Sequence, residues 1–318
     1  MELAVIKPQD PAQKPDGLIA PVQEEPMIPM EAIAAILDRT GDYRVLRRLV
    51  RTPAFSGSIP ADALVGAVLD TETTGLDPQT AEPIELAIVP FVYKPDTGEV
   101  LGTLPAFEAF REPTVPIPAQ IVELTGITAD MVAGHAIATA DVEAALDGIS
   151  VLFAHNAGFD RMLVERFWPV FADMPWICTA TQIAWPTSSA KLEALATWGG
   201  FFHSGHRAAD DCHAVLDLLQ RPLADGRPAL LAGLEAGRRP SWIVNASKAP
   251  FERKDLLKAR RYRWRDGWGL PPKTWWREVP DDDLPAELEW LNEEVYGYEA
   301  DPICRRIDAY SRFSRRAA

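Results

Sequence analysis

Three apolar or alternating runs, ALVGAVLD (63–70), PIELAIVPFVY (83–93) and VLGTLPAFEAF (100–110), are bounded by Gly, Pro and Asp and predict three strands. The turn-rich TETTGLDPQTAE joins the first two, and short connections predict an antiparallel meander. Helical patterns follow at 117–125 and 139–148, then a continuous apolar strand, SVLFAHN (150–156), and a helix at 158–168. A short strand near 176–178 precedes helices near 180–185, 191–199 and 206–220. Strands first, then alternating strand and helix, predict an α/β layer over 61–222: a mixed sheet sandwiched by helices.

The flanks read differently. Residues 1–29 are proline-rich and almost free of aromatic side chains, which predicts a disordered arm. Within 30–60, MEAIAAILDRTGDYRVLRRLV predicts two short helices split at Thr40-Gly41-Asp42, followed by a linker. A connector over 223–240 carries one helix. A small α+β module over 241–318 then reads as strand WIVNA, helix PFERKDLLKA, a hairpin of RYRWR and KTWWREV, and helix PAELEWLNEEVY. SRFSRRAA (311–318) reads as a loose basic tail.

With 318 residues, 47% of them hydrophobic, the chain is long enough for two domains with proper cores. No apolar run reaches the roughly 18 residues of a membrane span, and the N-terminus lacks the pattern of a signal peptide. Three widely spaced cysteines without a C-x-x-C pair exclude a disulfide scaffold and predict a reducing cytoplasm. The net charge of −14 argues against bulk coating of nucleic acid, but its distribution changes that picture. Residues 1–250 hold 32 acids against 18 bases, whereas 251–318 hold 14 of each. Positions 253–265 (RKDLLKARRYRWR) set seven Lys or Arg against the single acid Asp255.

Candidate chemistry begins where the first strand ends, at Leu69-Asp70-Thr71-Glu72-Thr73-Thr74-Gly75. Asp70 and Glu72 stand at i and i+2 and share a face. Two crowded carboxylates call for a proton or a hard divalent cation such as Mg²⁺ or Mn²⁺. Asp160 opens a helix after the buried strand, in FAHNAGFD, where an acid also serves the helix N-terminus. His206 and Asp211 stand five apart at the start of another helix, where an acid on a metal and a nearby His can activate water. A zinc cluster of His203, His206, Cys212 and His213 lacks separated ligand pairs. Phosphate-loop and hydrolase-elbow motifs are missing.

Taken in order, D-x-E-T-T-G (Asp70–Gly75), H-N-x-x-F-D (His155–Asp160) and H-R-A-x-D-D (His206–Asp211) resemble the DEDDh, or DnaQ-like, family of 3′→5′ exonucleases, which have an RNase H-like fold. The resemblance runs from Leu64 to Gln220, with echoes in Ile84-Glu85-Leu86, Leu124–Thr128 and Lys191–Leu195, and Thr125 stands where many members carry His. It implies that Asp70, Glu72, Asp160 and Asp211 hold two divalent ions, Mg²⁺ or Mn²⁺, about 3.5–4 Å apart. It also implies that His206 is the general base. Asp210 faces elsewhere on its helix. Backbone at Thr73 and Thr74, with the Leu76 side chain, would hold the terminal nucleotide, and Asn156 and Phe159 would flank the strand.

In the C-terminal module, Trp264, Trp268, Trp275 and Trp276 interleave with Lys258, Arg260, Arg261, Arg263, Arg265 and Lys273, a pattern suited to stacking bases and contacting phosphates of a single strand. The competing reading is a small core with tryptophan as filler. The expected function is metal-dependent hydrolysis of DNA 3′ ends to nucleoside 5′-monophosphates. An exoribonuclease of the same fold, or an adaptor that binds nucleic-acid ends without cutting, stands beside it. The expected partner is nucleic acid, single-stranded DNA or 3′ ends ahead of RNA. No membrane is expected, and protein partners would use the N-terminal arm or the C-terminal module.

Overall fold

The computed structural model describes residues 29–265 and 273–317. The expected disordered arm and Trp268 therefore lie outside the described residues, Pro29 excepted. Among the described residues, those up to Val45 form one unit, and those from Leu46 onward a second.

The first unit carries helix α1 (Met30–Thr40), which ends at Gly41 with φ +78°. The second helix expected after Asp42 does not form. Arg47–Arg48 is instead a short strand, β1, parallel to β8 (Phe201–Phe202). Arg47 N–H reaches Gly200 O, Leu49 N–H reaches Phe202 O, and the Arg48 guanidinium sits 5.0 Å over the Phe202 ring. Tertiary pairing overrides a weak helical pattern here.

The main sheet contains β2 (Leu64–Thr73), β3 (Pro83–Tyr93), β4 (Val100–Thr103), β5 (Phe107–Phe110), β6 (Ile149–Ala154) and β7 (Trp176–Cys178). Its order is β4-β3-β2-β6-β7, with β5 also on β3. β2 and β3 are antiparallel, while β2–β6 and β6–β7 are parallel. The sheet is mixed, as expected. The third expected strand is two: VLGTLPAFEAF breaks at Leu104–Ala106, where Pro105 has no N–H to give the ladder. Gly102, with φ +148°, lets the 53–55 segment dock: a Cβ there would lie 2.7 Å from Phe55 N.

Helices α2 (Ala119–Thr125), α3 (Ala129–Val132), α4 (Thr139–Leu146), α5 (Ala157–Phe167), α6 (Thr179–Gln182), α7 (Leu192–Trp198), α8 (Ala208–Gln220) and α9 (Ala229–Arg238) surround the sheet. On one face, Val68, Val89, Phe91 and Phe153 pack with Cys212, Leu216 and Leu219 of α8 and Leu230 and Leu234 of α9. On the other, Leu69, Leu86, Ile88 and Leu152 pack with Val142 of α4 and Val164 of α5. Alternation along β2 thus sends Val68 to one core and Leu69 to the other.

The C-terminal residues build a second, antiparallel sheet, β10-β11-β9-β12, from β9 (Ser241–Ala246), β10 (Arg263–Arg265), β11 (Thr274–Pro280) and β12 (Ile303–Ile307). Its Val244 and Val279 pack on Leu257 of α10 (Lys254–Ala259), and α11 (Leu284–Trp290) closes the same face. Within it, buried Glu287 accepts from Tyr262 Oη (2.9 Å), Arg260 Nε and Arg277 Nη1 (both 3.0 Å). Pairing three donors with one buried carboxylate satisfies the charge.

The expected loose tail is instead pinned down. Arg161 of α5, fully buried, donates to the carbonyls of Ala309 (3.1 Å), Tyr310 (2.7 Å), Arg312 (3.0 Å) and Ala172 (3.2 Å), and its Nε pairs with Glu165 at 2.7 Å. Trp176 N–H of the edge strand β7 bonds Ala309 O at 2.8 Å, and Phe313 packs into the core beside α5. A run of Ser and Arg looks solvated by composition, but here its backbone carbonyls are what a buried guanidinium needs.

Candidate active site

β2 carries the alternation past the core, so Asp70 and Glu72 follow Val68 toward α8 while Thr71 turns toward α5. Asp160, in the first turn of α5 and buried, accepts a hydrogen bond from Thr71 Oγ1 at 2.8 Å. Asp211, in the first turn of α8, closes the group. Burial pushes Glu72 up to about 8, with Asp211, Glu85 and Asp160 adding to the rise and Arg207 opposing it. Burial likewise raises Asp160 to about 7, against the hydrogen bond from Thr71. Asp70 rises well above the usual carboxylate range through burial first and then through Asp160, Asp211, Glu72 and Glu85. The four acids expected from sequence therefore share one field. Among the described residues, ligand atoms of Glu72, His206 and Asp211 also lie within 4.8 Å of one another, a spacing one cation can bridge. Hard carboxylate oxygens that burial forces to hold protons are a fitting donor set for Mg²⁺ or Mn²⁺.

Two partners hold Asp211. His203 Nε2 lies 2.7 Å from its Oδ1, and His206 N–H donates to its Oδ2 at 3.1 Å. His206 takes a left-handed φ of +64°, uncommon without glycine, which turns its backbone N–H onto that carboxylate. Asp210 points away and pairs with Arg51 at 2.7 Å. His155, the first residue of its motif, is a spacer: Nε2 donates to Ala190 O at 2.7 Å, so Nδ1 is left to accept from Thr179 Oγ1 at 2.9 Å. Burial keeps its proton affinity low.

Glu85 faces Glu72 directly across the β2–β3 ladder. Like charges opposed this way destabilise a sheet unless one is neutralised. Arg207 does so, with Nη2 at 2.8 Å and Nε at 3.2 Å, and Ala208 N–H adds a bond at 3.0 Å. Glu85 therefore ties the start of α8, and with it Asp211, to the sheet.

Around the acids, Thr73 and Thr74 are buried, with Thr74 N–H bonded to Glu82 O, and Leu76 is 88% exposed beside them. Asn156 is exposed with φ +80°, and Phe159 is half-buried on the next turn. The expected nucleic-acid contacts of the C-terminal module do not come together on one face. Arg261, Arg263 and Trp264 line a groove that Asn156 also lines. Trp275 packs into the module's own core, Lys258 pairs with Asp255 at 3.9 Å on α10, and Lys273 is exposed at the start of β11. Sequence reasoning gave no site role to His203, Thr71, Glu85 or Arg207. A lone acid inside the apolar run PIELAIVPFVY was the available signal for Glu85, whereas His203 sits on a loop with no periodicity to read.

The RNase_T family model, described as Exonuclease, matches residues 67–219. The DNA polymerase III PolC-type of Halalkalibacterium halodurans is 42% identical over 172 residues, 50% of this chain. That of Clostridium perfringens is 32% identical over 165 residues, 48% of this chain. This chain spans 11% of the length of each. The solved structure of Exonuclease X in complex with 5′ overhanging duplex DNA is 29% identical, with a TM-score of 0.36, and the match covers 48% of this chain and 87% of that one.

Proposed function

Because residues 67–219 form an exonuclease-family domain, we propose that this chain removes nucleoside 5′-monophosphates from the 3′ ends of DNA. The observation that carries the reading is the gathering of Asp70, Glu72, Asp160 and Asp211 into one buried field with His206 beside them. Two divalent ions held by those four carboxylates would supply a water of lowered pKa and charge for the departing 3′ oxygen. His206 accepts the proton of the attacking water; the new P–O bond forms as the bond to the 3′ oxygen breaks. Buried Thr71 aims Asp160, and His203 aims Asp211. The terminal nucleotide rests against backbone at Thr73 and Thr74 and the exposed Leu76, with Asn156 and Phe159 beside the strand. DNA is favoured over RNA by the kind of protein the 42%-identical relative is.

The test is a gel assay on 5′-labelled single-stranded DNA and RNA of one sequence with Mg²⁺, Mn²⁺ or chelator, run beside Asp70→Ala. A metal-dependent ladder on DNA that needs Asp70 supports the reading. A ladder on RNA alone makes the chain an exoribonuclease. Retarded but uncut strands make it an end-binding adaptor.

A further inference from the structure

The C-terminal sheet has one covered face and one open one. Val244, Trp275 and Val279 point to the face packed on Leu257 and Leu291. By strand alternation and register, Arg263, Arg265, Trp276 and Ile243 share the opposite face. That face borders a groove of about 910 Å³ whose far wall is the start of α5, at Asn156 and Gly158. This volume falls within the roughly 300–1,000 Å³ range of ligand clefts. Asp160 lies four residues along the same helix from Asn156, about 6 Å of rise. Among the described residues, six arginines and a single acid, Glu278, line the groove, in a chain whose net charge is −14.

Two of these guanidinium groups have a nitrogen to spare. Arg312, only 3% exposed, spends Nε on Glu278 (2.8 Å) and Nη2 on Arg239 O and Ser241 Oγ (both 2.9 Å). Among the described residues its buried Nη1 has no partner, nor has the buried Nη1 of Arg265, whose guanidinium carbon lies 4.8 Å over the Trp276 ring. An unpaired buried N–H of a charged group costs free energy that an anion in the groove would recover. The helper contacts are right for a strand: a flat indole for a base, guanidinium forks for phosphate oxygens.

We infer that this groove carries the nucleic-acid strand on the 5′ side of the scissile bond, with the free Nη1 atoms of Arg265 and Arg312 binding a backbone phosphate. The inference rests on the exonuclease reading, because an enzyme that removes the 3′ nucleotide must let the rest of the strand leave the site, and this groove opens beside Asp160's helix.

The test compares a DNA dinucleotide with a long single-stranded DNA in initial-rate assays of the full chain, wild type beside Arg265→Gln and Arg265→Lys. Arg265→Gln should raise KM for the long strand about tenfold with kcat unchanged. It should leave the dinucleotide alone and lower the salt slope of long-strand binding by about 1. Arg265→Lys should recover part of the loss. Equal effects on both substrates, or no change in either, overturn the inference. Anisotropy of the labelled long strand in chelator, without turnover, separates the two proposals. If the wild type cuts nothing but binding still depends on Arg265, the groove stands and the exonuclease reading falls. If the wild type cuts while binding ignores Arg265, the groove falls alone. Competition by inorganic phosphate or a free mononucleotide as strong as by the long strand would make the site a free-phosphate pocket, which overturns the strand assignment.

Discussion

His203 grips Asp211: Nε2 sits 2.7 Å from Oδ1, while the second carboxylate oxygen takes the backbone N–H of His206. Two histidines three residues apart thus meet Asp211 differently, one through its ring and the other through its backbone, which leaves the His206 ring for the proton role proposed above. His203→Ala should cut activity about 10–100-fold by loosening metal binding, and raising Mn²⁺ should restore much of it. His206→Ala should lose as much or more and recover nothing at any Mn²⁺ concentration. Rates measured across a Mn²⁺ titration check both, and identical titration curves would remove the division of labour.

Removing one of the crowded acids should separate stability from activity. Asp70→Asn should abolish cleavage and, in chelator at pH 8, raise Tm by several degrees, because the remaining carboxylates repel less. A lower Tm in a thermal melt would show that Asp70 stabilises the metal-free site.

The raised affinities of Glu72 (about 8) and Asp160 (about 7) set a pH window. Between the usual carboxylate range and those values the folded chain binds more protons than the unfolded one, so stability falls as pH rises. In chelator, Tm should therefore decline between pH 5 and pH 8 through these groups. Saturating Mn²⁺ should offset the decline at pH 8, and calorimetry in buffers of different ionisation enthalpy should detect proton release on binding at pH 6.5. Flat Tm over the window would place the protons elsewhere.

Arg161 links the C-terminal segment to the stability of the domain built on the main sheet. A chain cut after Asp308 leaves its buried guanidinium without the carbonyls of Ala309, Tyr310 and Arg312. The expected cost is about 3–5 kcal/mol, or roughly a 10 °C fall in Tm. A melt within a degree or two of the full chain would mean that solvent replaces those contacts.

Strand and helix order over 61–222 was legible because β2, β3 and β6 are apolar runs long enough to need burial, and the spacing of Asp70 and Glu72 survives any error in strand ends. What escaped the sequence depends on contacts between distant residues. Arg47 and Arg48 have no strand signal until Phe201 and Phe202 pair with them. Glu85 reads as a lone polar in a strand until Arg207 arrives from residues far downstream. His203 could be dismissed as part of a poor zinc set because only the loop's fold turns it onto Asp211. Composition also misread Ser311–Arg316: charged side chains say nothing about carbonyls that a buried arginine will claim.

Arg161's carbonyl partners at Ala309, Tyr310 and Arg312 lie 148 to 151 residues further along the chain. Closing so large a loop is slow compared with local helix formation. α5, which presents Asp160, therefore gains these particular contacts late, after its packing on β6 and β7. While the polypeptide is being synthesised, Asp70, Glu72, Asp160 and Asp211 all emerge well before the residues that brace α5. A nascent or stalled chain would then carry the four acids with an α5 that lacks its brace.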